Sequence, residues 1–185
     1  MNHQMMLLPF ALLTFVVGVA DAPGQELPWR VAAGSVVITP DEPMWMAGYA
    51  SRNRPSAGAI HDLHAKVLIV DDGSGTRLAF VTMDLIGITG ELRSRVEAAA
   101  AELGLPPESL LMNASHTHCG PELRYDRLER FEHDAKYVAL SRQYVQETAA
   151  KIGQLLTETL PKLAPARLIY SHARAGFAMN RRLPT

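Results

Sequence analysis

Two histidines one residue apart stand in the segment Ser115-His116-Thr117-His118-Cys119-Gly120-Pro121. The segment follows residues 110–114, LLMNA, which read as a short buried strand. Ligand sites in open α/β sheets collect at the carboxyl ends of strands. In an extended chain every second side chain points the same way, so His116 and His118 would face one point. Two neutral imidazoles so placed suit a zinc ion or its bound water. The Gly-Pro turn that follows keeps the backbone close and fixed. The same spacing also fits two histidines in a polar loop. An H-x-H-x-D-H pattern fits poorly, because Gly120 and Pro121 stand where Asp and His would be needed.

Other polar side chains fall at expected element ends. His61 and His64 flank Asp62 before one strand, and Asp84 closes another. If those strands neighbour LLMNA, Asp84 and His116 share a rim. Asp84 could then orient a histidine through its second ring nitrogen, or serve only as a turn carboxylate. Asn180 and Arg181 lie in an irregular segment and have side chains suited to anion or carbonyl binding. Arg93 and Arg95 read as helix-surface charges. The sequence has no G-x-S-x-G elbow for a serine nucleophile. It also lacks both a phosphate-cradling G-x-x-x-x-G-K-[ST] loop and a dinucleotide fingerprint.

The elements that must position these residues follow from pattern. Residues 36–39 read as a strand stopped by Pro40. A long ordered loop follows, anchored by Trp45, Met46 and Tyr49. Residues 65–70 and 78–83 flank DDGSGTR, a hairpin signature. Their nearly continuous apolar character suits interior strands covered on both faces. Leu92, Val96, Ala99 and Leu103 mark a helix capped by Thr89 and ended by Gly104. After Pro121 the charges suggest a solvated loop or short helix. A longer helix spans about residues 136–160, with Val138, Val145, Ala149, Ile152, Leu156 and Leu160 on one stripe. Residues 166–171, ARLIYS, read as a further strand. The class is α/β: a mixed sheet with helices packed on it.

The chain has 185 residues, 48% of them hydrophobic and 20% charged, with formal net charge -1. That suits one folded domain. Nothing in the charge pattern offers a nucleic-acid surface. Residues 5–20 are continuously apolar and are followed by small residues, so residues 1–22 read as a signal peptide and 23–185 as the mature domain. A buried N-terminal helix and an uncleaved anchor are the other readings. The expected location is exported: periplasmic, extracellular or surface-associated. Cys119, the only cysteine, excludes an internal disulfide. We expect its thiol to be neutral and at least half-buried.

Taken in order, AGSVVITP, MAGYA, GAIHDLHAKVLIV, LAFVTMDLIG, LLMNASHTHCGP and FAMNRR resemble the motifs of the neutral/alkaline non-lysosomal ceramidase family. The resemblance runs over roughly residues 31–182. It implies an incomplete N-terminal portion of a larger catalytic domain that uses one catalytic zinc ion to hydrolyse ceramide to sphingosine and a fatty acid. It implies His116 as a metal ligand and His118 as the residue that positions or activates water and substrate. It places Asp84 in a structural or supporting role and gives no firm role to Asn180 or Arg181. It also implies further His, Glu and Tyr ligands downstream of Thr185, a lipid-like amide substrate and peripheral membrane contact. The family usually has serine or threonine where Cys119 stands. Two other classes remain: an exported metal-dependent hydrolase of another amide or ester, and a non-catalytic binding domain derived from the fold.

Overall fold

A computed structural model describes residues 29–177. The leader and the Asn180–Arg181 pair lie outside them. Five strands form one sheet in the order β4-β3-β2-β1-β5. They are β1 (Trp29–Val37), β2 (His64–Asp71), β3 (Arg77–Met83), β4 (Leu110–Ala114) and β5 (Ala164–Ala166). β2 and β3 form the expected antiparallel hairpin, with Asp71 opposite Arg77. Its turn is tied by Asp72, which accepts from the amide and hydroxyl of Ser74. β3 and β4 run parallel, with Met83 opposite Ala114. A parallel pair needs a crossover, and helix α1 (Gly90–Ala101) supplies it. Thr89 caps α1 by accepting from the Leu92 amide at 3.3 Å.

Helix α2 (Tyr125–Arg130) is short, and α3 (Ala135–Thr159) is the long helix the apolar stripe predicts. Both α1 and α3 bury their stripes on one face of the sheet. Val67, Ile69, Val81 and Met83 meet Leu92, Val96, Val145, Ile152 and Leu156 there. That arrangement corrects the two-sided reading of the hairpin. Alternate residues on the other face are open, with Leu68 40% and Leu78 43% exposed. Lys66 and Thr82 on that face already marked it as wet in part. The continuous apolar run combines a buried row with an open apolar row.

Two further expectations change. β1 extends back to Trp29 because residues 30–37 pair with β2 and Trp29 itself pairs with Ala166 of β5. The last strand is only Ala164–Ala166, paired with Trp29–Val31. Leu168, Ile169 and Tyr170, read as strand residues from their β-propensity, are 63%, 71% and 87% exposed. Propensity alone does not supply the neighbour that a strand needs.

Candidate active site at the end of β4

β4 delivers the chain to the histidines, and the first bond beyond it continues the sheet. The Ser115 amide donates to the Met83 carbonyl at 3.0 Å. The backbone then departs from the extended form, because His116 has φ 59. Left-handed backbone is uncommon for a residue other than glycine. The two rings are nevertheless neighbours, with centroids 5.2 Å apart and planes at 66°. Strict alternation therefore gives the right neighbours for the wrong reason.

His116 Nδ1 lies 2.7 Å from the Ile86 carbonyl oxygen. A carbonyl can only accept, so Nδ1 carries the proton. In the neutral ring Nε2 then keeps its lone pair, the tautomer a metal-binding histidine uses. His118 is held differently. Its ring packs edge-on against Tyr49, with centroids 4.9 Å apart and planes at 76°. Its carbonyl accepts from Arg52 Nη2.

The loop between β1 and β2 brings Tyr49 and Arg52 to this place. Met44 and Ala47 are buried, and the Trp45 ring packs 4.2 Å from His133. Met46 forms an isolated antiparallel bridge with Pro121. On its flanks the Ala47 amide donates to Gly120 O at 2.9 Å and the Glu122 amide to Trp45 O at 2.8 Å. Glu122 is itself buried, forked to Arg124 by two 2.7 Å bonds. Its carbonyl accepts from Ser141 on α3 at 2.6 Å. The long helix thus fixes the Gly-Pro turn, and the turn fixes the loop. Gly48, at φ 107, lies so close to His118 that an added Cβ would sit 2.5 Å from its Cγ.

Asp84 is not on the His116 ring. Its Oδ2 accepts from the His64 amide at 3.0 Å, and its own amide donates back to His64 O at 2.9 Å. It closes the β2–β3 ladder, while the Ile86 carbonyl takes the place at His116 Nδ1. Tyr49, expected to anchor the loop in the core, is 59% exposed and packs on His118 instead. Cys119 is exposed, not half-buried. Gly48, Arg52 and the Ile86 carbonyl are site features the sequence reading missed. The only advance signal was the MAGYA fragment, whose glycine needs a reason.

A cleft of about 910 Å³ lies beside the histidine segment. Ser115, Thr117 and Cys119 line it, together with His61, Asp62, Asp84 and an apolar wall that includes Met46, Ile60 and Leu63. His61 therefore belongs to this cleft. His116 and His118 are not among its lining residues. No group of three or more His, Cys, Asp or Glu side chains among the described residues could hold a metal. His116 presents the tautomer a metal-binding histidine uses, and no two further such side chains among the described residues join it.

No family model matches the chain. Its strand-end histidines sit on a mixed sheet with helices on one face, an α/β arrangement. In sequence and in fold it resembles part of the neutral ceramidases. It is 26% identical over 125 residues to the neutral ceramidase of Drosophila melanogaster, covering 65% of this chain and 17% of that protein. The crystal structure of neutral ceramidase from Pseudomonas aeruginosa shares its fold with a TM-score of 0.60 at 24% identity, over 75% of this chain and 22% of that one. A structure of ceramidase complexed with C2 aligns equally well. The chain thus spans about a fifth of the length of these relatives.

Proposed function

We propose that this chain carries the histidine-bearing part of a zinc-dependent amide hydrolase of the neutral ceramidase type. The observation that carries the reading is His116 at the end of β4, its Nδ1 proton held by the Ile86 carbonyl and its ring beside His118. His116 Nε2 would hold the ion. Zinc bound there would lower the pKa of water and polarise the scissile carbonyl. His118 would orient the attacking water and pass a proton to the leaving amine. The apolar wall of the neighbouring cleft suits a lipid-like amide, and the likeness to proteins called neutral ceramidases makes ceramide the substrate to test first. Asp41, Glu42, Asp62 and Asp84 also line the cleft. These carboxylates favour, as a second reading, a more polar amide or ester.

In the same reading, the remaining ligands come from sequence beyond Thr185, and the leader exports the protein toward a membrane-borne substrate. The test is made in the full-length natural protein. His116→Ala should lose most bound zinc, while His118→Ala should keep more zinc and lose turnover. Metal analysis beside hydrolysis of a labelled short-chain ceramide separates the two. Full zinc content with full activity in His116→Ala would refute the assignment.

A further inference from the structure

We propose that Arg52 is a positioning residue for His118, an inference that rests on the hydrolase reading above for its catalytic consequence. Arg52 holds that histidine by two handles. Its Nη2 donates to the His118 carbonyl, which fixes the main chain from which the ring hangs. Its guanidinium carbon lies 5.3 Å from the centroid of the Tyr49 ring, and the Tyr49 ring packs against the His118 ring itself. The Arg52 amide donates to Tyr49 O at 3.2 Å, so a tight turn sets both handles. Gly48 backs the ring from the same loop.

The arrangement has a cost that a packing role does not explain. Arg52 Nε is buried and has no hydrogen-bond partner among the described residues. A buried unpaired donor destabilises. A long apolar side chain could cover Tyr49 without that loss. What it could not do is donate to the His118 carbonyl. Arginine also differs from lysine here, because a planar guanidinium lies over a ring and donates from its rim at once. Lysine can replace the single donation and only part of the ring contact.

The experiment uses the full-length natural protein with Arg52→Met, Arg52→Lys and Tyr49→Leu. Three quantities are read: bound zinc, the imidazole NMR signals of His116 and His118, and kcat and KM on a labelled short-chain ceramide. Arg52→Met should keep its zinc and the His116 signals while the His118 signals move. Its kcat should fall at least about tenfold, within the roughly 10²–10⁴-fold that a placed acid–base group supplies, with KM little changed. Arg52→Lys should recover part of both changes. Unmoved His118 signals in Arg52→Met overturn the inference, as does Arg52→Lys behaving no better than Arg52→Met. If Arg52→Met does not fold, Tyr49→Leu decides by the same criterion of moved or unmoved His118 signals. A wild-type protein without zinc or turnover would overturn the hydrolase reading alone, since the His118 signals still report on Arg52.

Discussion

Alanine at position 48 would put a methyl carbon 2.5 Å from His118 Cγ, 2.7 Å from its Cβ and 2.8 Å from its Nδ1. None of these atoms is the far end of a flexible chain, so the histidine or the loop must shift. Two costs combine in Gly48→Ala. One is backbone: φ 107 is a conformation L residues rarely adopt, worth about 1–3 kcal/mol. The other is overpacking, again about 1–3 kcal/mol. Gly75 separates them. It has φ 109 and nothing within 4 Å of an added Cβ, so Gly75→Ala carries the backbone cost alone. The expected difference between the two variants is therefore the overpacking, about 1–3 kcal/mol by urea unfolding. The activity split, read in the full-length natural protein, should be sharper. A ring displaced by about 1 Å can cost about 100-fold in rate, so Gly48→Ala should lose turnover on the short-chain amide while Gly75→Ala keeps it. Equal unfolding energies in the two variants, with the His118 NMR signals unmoved in Gly48→Ala, would refute the reasoning.

Three further outcomes are expected. Asp72, whose carboxylate the Ser74 hydroxyl and amide hold down to about 2 from 3.8, should contribute stability above the unfolded value and lose it as pH falls toward 2. A carboxyl titration beside urea melts at neutral and acid pH checks both, and a titration midpoint near 3.8 would refute the turn assignment. A chain of residues 23–185 should associate as its concentration rises, because Leu68, Leu78 and Leu111 leave an open apolar row that is 40–53% exposed. Sedimentation should show weaker association for Leu68→Lys, and a wild type monomeric at all concentrations would refute it. The same chain loaded with zinc should hydrolyse a short-chain ceramide no faster than a metal-only blank, since a catalytic zinc takes about three protein ligands. Zinc-stoichiometric turnover would refute the incomplete ligand set.

The fold was legible where local chemistry and packing agree. Thr89 with Leu92 and Val96 defines α1, and the DDGSGTR turn defines the β2–β3 hairpin. The stripe through Val145, Ile152 and Leu156 defines α3. Leu168 to Tyr170 misled because β-branched and aromatic residues announce a strand only if another strand or layer receives them. At the site, the histidine pair was legible from spacing and its place after a strand. Its surroundings were not. Arg52 and His118 are 66 residues apart and meet through a loop without a period. Asp84 was an equally good candidate for His116 on paper. The ladder bond to His64 claims its carboxylate, and no sequence rule ranks those two partners.

The Met46–Pro121 bridge joins segments separated by β2, β3, α1 and β4. Closing so long a loop costs chain entropy that the enclosed sheet must offset first. The bridge should therefore form late in folding and open early. Opening it frees Tyr49 and Arg52 from His118, while Ser115 stays bonded to β3 and His116 to Ile86. The two histidines are therefore expected to fall in different opening units. Hydrogen exchange at the Ala47 and Glu122 amides, which donate across the bridge, would measure how often His118 is released from a molecule whose sheet is still intact.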